Sequence, residues 1–346
     1  MRFGKHYRNI KPLFRWLACL WVGMAVSGFE GDCHGMPDSG DEPIVSMNSI
    51  GSFDTLEMVL SRDPVLYIDA GREKKEAPAI PIIFTTDTHN VQLFPKENFY
   101  PRYQADPRYP QSSARFIYYD HSAIHSGGGR RFNLQTGGHC EILGVTRKET
   151  PAQGFQIGID GSLSAQFNLD SHLDNIGWDG FYHLAMTWKY CPEWAFKLAI
   201  QHDSSHIGDE YIENTGRERT EYTREEVAFG VSCFPSDNLR VYSEIGRAYK
   251  YHHFQKPLRA QFGCELTGDL DYLQQTTGWY AATDVTVWEE NEGKTCTCLQ
   301  MGMRIKPEDD WRQYRVGIEL YNGRSQIGEF YKYQERYIAL GFWVDI

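Results

Sequence analysis

The feature that most constrains this chain is an alternation of polarity with a period of two residues, which runs to its C-terminal end. In 336–346, Ile338, Leu340, Phe342, Val344 and Ile346 fall on one face, and Ala339, Gly341, Trp343 and Asp345 on the other. A strand places successive side chains on opposite sides, whereas a helix would repeat every 3.6 residues. Segments of the same texture occur at 155–169, 181–190, 194–203, 225–234, 239–249, 295–305 and 314–322. Short turns such as 191–193 and 235–238 alternate with longer polar stretches around 121–136, 205–222 and 323–335.

Two β architectures accept such strands. A soluble sandwich or barrel hides its apolar face, whereas a membrane β-barrel shows that face to lipid and keeps small or polar residues in its lumen. Opposite the apolar faces lie Ala195, Lys197, Ala199 and Gln201, or Ala228, Gly230 and Ser232, a set that suits a lumen. The apolar faces are bounded by aromatics (Tyr182, Trp188, Tyr190, Trp194, Phe196), as an interfacial girdle would be. The reading is an all-β, antiparallel transmembrane β-barrel over 111–346. Its strands fall at 112–120, 137–146, 154–169, 177–190, 194–204, 222–234, 239–249, 258–266, 278–288, 295–305, 312–322 and 336–346, twelve in all. An even number brings both ends of the barrel to one side of the membrane. The 258–288 region has the weakest pattern, so ten or fourteen strands stay open.

Residues 1–27 read as a signal peptide. Arg2, Lys5, Arg8, Lys11 and Arg15 precede an apolar run from Trp16 to Val26, and Ala25-Val26-Ser27 offers small residues for cleavage. An N-terminal membrane anchor is the alternative. No window reaches the roughly 18 continuous apolar residues of a spanning helix. The net charge of −11 and the want of a basic stripe with interleaved aromatics exclude an extended nucleic-acid surface. Residues 28–110 form a periplasmic arm or small cap with little regular pattern. Within it, 65–86 holds room for two short strands, and 94–110, rich in Pro and aromatics, is extended rather than helical. The arm 28–110 as a whole could plug the modest lumen of twelve strands.

Export makes the cysteines informative. Cys33, Cys140, Cys191, Cys233, Cys264, Cys296 and Cys298 follow the cleavage site, an odd number. Cys296 and Cys298 sit two apart on a strand, on one face, which argues against a bond between them. Cys191, before one strand, and Cys233, at the end of the next, are expected to form a disulfide. No metal or cofactor is expected, because no second Cys/His pair follows Cys296-Thr297-Cys298 at ligand spacing.

The stretches QHDSSHIGDEY (201–211), YQADPRYP (103–110) and ERYIALGFWVDI (335–346) resemble the family catalogued as domain of unknown function 1207. The resemblance covers roughly 90–346. It implies a Gram-negative outer-membrane β-barrel, and it brings no established activity and no catalytic residues. The last ten residues also resemble the signal read by the barrel assembly machinery, with Ile346 in place of the usual terminal aromatic.

In 201–211 two histidines, two serines and three acids suggest hydrolytic chemistry. If 191–193 is a periplasmic turn, Trp194, Phe196, Leu198 and Ile200 face lipid, and strict alternation puts His202 and Ser204 on that side, at head-group level. A serine nucleophile needs an imidazole as general base and a third group to orient it. Ser204, His202 and Glu225, with Glu221 behind, would then make an outer-membrane lipid acyl hydrolase, its oxyanion hole drawn from backbone N–H groups near 205–208. The plainer reading is that strand ends at head-group depth are rich in such residues, and one bulge would turn the pair inward. A divalent-ion cluster of Asp203, Asp209, Glu210 and Glu213 lacks regular ligand spacing. Three function classes remain: a surface barrel or narrow pore that contacts outer-membrane lipids, a lipid hydrolase, and a secreted soluble β-protein.

Overall fold

A computed structural model describes residues 82–124, 128–252, 255–270, 277–307 and 312–345. Two compact units divide at 79/80, and only the second, from residue 80 onward, falls among the described residues. The signal peptide and most of the arm lie outside them.

Fourteen strands are described. They are β1 (Ile82–Thr85), β2 (His89–Leu93), β3 (Ser112–Ser122), β4 (Arg130–Arg147), β5 (Gly154–Asn168), β6 (Asp174–Cys191), β7 (Trp194–Ile207), β8 (Thr223–Ser236), β9 (Leu239–Tyr251), β10 (Leu258–Asp269), β11 (Thr277–Trp288), β12 (Thr295–Ile305), β13 (Gln313–Arg324) and β14 (Gln334–Asp345). Each strand from β3 to β14 pairs antiparallel with the next. β14 pairs back with β3, which closes a twelve-stranded barrel. Closure leaves no free sheet edge in the wall, the condition for β-structure to span a bilayer. The strands run 11 to 18 residues, at or above the roughly 9–11 that a tilted span needs.

The β1–β2 hairpin lies outside the closed ring. β2 pairs with the second half of β4, Leu143–Arg147, beyond the point where β3 stops pairing. β1 falls at the end of the stretch in which two short strands were expected, and β2 lies just past it. Other strand bounds also move. β4 begins at Arg130 rather than 137, because Arg131, Asn133 and Gln135 face inward while Phe132 and Leu134 face out. β7 runs on to Ile207.

Call the end where β3 starts and β14 finishes the base, and the other the rim. Two-residue turns join β6 to β7 and β8 to β9 at the base. The longest rim connection holds a short helix, α1 (Asp209–Thr215). Outward positions are apolar on every strand of the ring; Leu184, Leu198, Phe229, Ile245, Ile318 and Leu340 are all exposed on the outer wall. A soluble β-protein cannot leave such a continuous band in water. At the base Phe155, Trp188 and Phe196 pack ring against ring, with centroids 5.5 Å apart.

The expected Cys191–Cys233 bridge is not formed; neither cysteine is in a disulfide. Register gives the reason. Trp194 of β7 pairs with Cys191 on one side and with Cys233 on the other. The two cysteines therefore lie two inter-strand spacings apart, about 9–10 Å, beyond disulfide reach. Cys296 and Cys298 are both buried on the lumen face, as alternation requires.

Candidate functional site

The inside of the barrel is polar and filled. Arg115 donates to Glu319 at 2.8 Å and Arg131 to Glu335 at 2.8 Å. Arg259 joins Glu226 and Glu244, each at 2.5 Å, and Lys197 lies 2.6 Å from Glu244. All these groups are buried. Charges so placed persist only when paired and hydrogen-bonded, and the wall strands supply each with an opposite.

The segment before β3 threads this lumen. Four prolines (Pro95, Pro101, Pro107, Pro110) keep it out of helix and remove N–H groups that would need partners. It turns twice, with the Asp106 N–H donating to the Tyr103 carbonyl and the Tyr109 N–H to that of Asp106, both at 3.3 Å. Small wall residues make room: Tyr100, Tyr103 and Tyr109 pack with Ala195 and Tyr242, and a side chain on Gly230 would crowd the Tyr100 hydroxyl. The Lys197 ammonium lies 4.4 Å from the Tyr103 ring centroid and about 5 Å from those of Tyr100 and Tyr109. Irregular backbone at membrane depth must be satisfied by protein. Arg240 accordingly donates to the carbonyls of Pro101 and Arg102, at 2.6 and 2.7 Å, and Gln135 donates to that of Tyr109 at 3.0 Å. Arg108 completes the attachment with ion pairs to Asp179 at 2.8 Å and Asp203 at 3.2 Å, and a hydrogen bond to the Gln326 carbonyl.

Between this segment and the wall lies a cavity of about 50 Å³ beside Asp106, Arg108, His183, Arg259 and Asp284. That is room for about three to five waters. The connection from Ser325 to Tyr331 is buried throughout, with Ile327 and Phe330 packed on Ile176, Ile207 and Tyr211. Its Glu329 carboxylate accepts the backbone N–H groups of Thr220, Glu221 and Tyr222 at 2.6, 2.8 and 3.3 Å, so two rim connections are fastened together. Burial pushes the Tyr222 phenol up to about 12, so it stays protonated and donates to Glu290 at 3.0 Å.

Outside, β7 carries His202 and Ser204 on the outer face, just above Ile200; no bulge intervenes. Glu225 is the direct cross-strand partner of His202, and its carboxylate oxygen lies 3.6 Å from the imidazole Nδ1. Lys250, not singled out in the sequence, reaches the same oxygen at 2.8 Å. Gly180, opposite Ser204, leaves a notch: a Cβ there would stand 3.2 Å from the serine oxygen. Two expected features do not assemble. Ser204 makes no hydrogen bond to His202 among the described residues. The N–H groups of Ser205 and Gly208, intended for an oxyanion hole, are spent on the carbonyls of Tyr222 and Ile176, both at 3.0 Å. The cause is the extra length of β7, whose ladder continues to Ile207. Glu221 is held by its backbone to Glu329 and stands at positive φ. Asp203 and Ser205 point inward, away from Asp209 and Glu210, so the four acids weighed as an ion site do not converge. The described residues hold no group of three or more His, Cys, Asp or Glu placed to bind a metal.

Among solved structures, the outer membrane phospholipase A from Escherichia coli aligns over 68% of this chain and 94% of its own, at 10% identity and a TM-score of 0.46. A KdgM porin covers 68% and 99% at 10% identity and 0.38. LpxR from Salmonella typhimurium covers 68% and 99% at 9% identity and 0.34. No curated protein matches the sequence. Residues 74–344 match the family described as protein of unknown function DUF1207, and the chain belongs to that family.

Proposed function

We propose that this protein is an outer-membrane surface barrel with a closed lumen, whose function is exercised at its rim and lipid-facing wall. The single observation that carries this is the lumen itself, packed with ion-paired side chains and threaded by residues 95–111. The signal peptide at 1–27 exports the chain, the barrel assembly machinery inserts it, and outer-membrane lipids are its first partners. The test is fractionation with electrical recording. The protein is expected in outer membranes, to migrate faster unheated than boiled, and to give no steady open-channel current in planar bilayers. Release by high salt without detergent would overturn the location, and a steady wild-type current would overturn the closed lumen.

A second reading is lipid acyl hydrolysis, favoured by the outward His202 with Glu225 at 3.6 Å. Ser204 would attack the ester, His202 would take its proton, and Glu225 would orient the imidazole. The oxyanion would need donors other than the ladder N–H groups of 205–208. Ser204→Ala is expected to abolish deacylation of phospholipid micelles while heat-modifiable migration persists. Equal activity in the variant would end this reading.

A further inference from the structure

Just above Ser204 on the outer wall lies a recess that neither reading uses. Its volume is about 370 Å³, and it opens between β6, β7, α1 and the loop after the helix. Trp178 and His206 form its wall. They are direct cross-strand partners with rings stacked 4.2 Å apart, one outward position above the Gly180–Ser204 pair. Arg219 faces the recess from the loop, and Asp209 and Glu210 face it from the helix.

The base of this recess is fixed. A Cβ on Gly208 would overlap the Asn175 carbonyl, and the Gly208 N–H donates to Ile176 at 3.0 Å. Only glycine lets the chain turn so close to β6. Behind it, Tyr211 of α1 packs edge-on against Phe330, with centroids 5.2 Å apart. The charged groups, by contrast, are free to exchange partners. Arg219 meets Asp209 at 3.1 Å, but their side chains are 53% and 82% exposed, and an exposed pair of this kind holds weakly.

We propose that this recess seats the head group of a membrane phospholipid that carries both a phosphate and an ammonium, as phosphatidylethanolamine does. Arg219 offers a planar fork of donors for phosphate oxygens, and His206 adds a ring N–H. Asp209 and Glu210 supply acceptors for an ammonium. Two carboxylates beside one guanidinium repel a purely anionic head group, so the charge pattern selects the zwitterion. Trp178 gives the recess an amphipathic aromatic platform. Because the recess opens on the outer wall, its ligand reaches it laterally from the bilayer. This proposal rests on the outer-membrane reading and not on hydrolysis.

The test uses the full-length protein in a neutral detergent, first confirmed as a folded barrel by heat-modifiable migration. Failure at that stage counts against the membrane reading, whereas the lipid titration bears on the recess alone. Lipid adducts are titrated by native mass spectrometry with phosphatidylethanolamine and phosphatidylglycerol. Phosphatidylethanolamine is expected to bind about tenfold more tightly, the scale of one charge-assisted hydrogen bond. Arg219→Gln should lose that affinity, and the double variant Asp209→Asn, Glu210→Gln should abolish the preference. Glu213→Gln, on the same helix but outside the recess, should change neither. Soluble phosphoethanolamine should compete, and inorganic phosphate at equal concentration should not. Equal affinity for the two lipids, unchanged selectivity in the variants, or equal competition by inorganic phosphate would each overturn the proposal.

Discussion

Single side chains in the lumen act through partners far along the sequence. Arg115 is satisfied by Glu319 and Asn133, and Glu319 in turn accepts Tyr337 at 2.6 Å and Gln300 at 2.7 Å. Glu319→Ala removes the counter-ion and strands a fully buried guanidinium. The expected loss is about 3 kcal/mol or more of barrel stability, read from urea unfolding in lipid. A change under about 1 kcal/mol would show that water reaches Arg115 and that the lumen is looser than its packing implies. No local pattern announces this pairing, since 204 positions separate the two residues. The site on the outer wall was legible only in part. Alternation alone sets His202, Ser204 and Glu225 on the outer face, because parity survives wherever a strand has no bulge. Lys250 and Gly180 went unseen because their roles depend on register between strands, which one strand's sequence does not contain. At the same scale, Cys191 and Cys233, which are not bridged, should each react with an alkylating reagent in the unfolded protein without prior reduction. A reagent-resistant pair that reacts only after reduction would restore the bridge.

Elements were read best where their outward half is apolar. Eleven of the twelve barrel strands begin and end within three residues of the expected segments, because burial against lipid demands an apolar residue at every second place; β4 alone starts seven residues early. The start of β4 was taken for loop since Arg131, Asn133 and Gln135 are its lumen half; polarity there serves the ion-pair network rather than exposure to water. The connection 325–331 was read as an outer loop for the same reason, although it is buried. Its Glu329 has no apolar signature, only three backbone donors brought to it by another loop. The outward band gives an element-scale test. Leu340 lies midway along β14 and is 59% exposed. Leu340→Arg should destabilise the barrel by about 2–4 kcal/mol in lipid, the cost of a cation near the bilayer midplane. Ala339→Ser, one residue away on the lumen face, escapes that cost. If the arginine variant is as stable as the parent in bilayers, this face does not meet hydrocarbon.

At the scale of the whole molecule, the decisive relation is between the wall and the segment that threads it. Residues 95–111 touch the wall on several sides: Phe99 donates its N–H to Gln156 of β5, Gln104 to Glu265 of β10, and the Tyr103 hydroxyl donates to Glu244 of β9. Hydrogen bonds distributed around the circumference hold a plug against sliding as well as tilting. Arg108 of the segment joins β6, β7 and the buried rim connection at once. Arg108→Ala removes the cation that Asp179 and Asp203 share, a penalty of about 3 kcal/mol when a buried partner is removed. If the plugged and open states are in equilibrium, that penalty raises the open population by about a hundredfold. In planar bilayers the variant should therefore show openings about two orders of magnitude more often than the parent, with unchanged insertion. Arg108→Lys keeps the charge but loses the fork that reaches three acceptors, so its openings should fall between the two. Arg336→Ala, which breaks the outer-wall pair with Asp120, should leave the closed state as it is. A silent Arg108→Ala channel with intact insertion would mean that the tyrosines and Arg240 hold the plug without it.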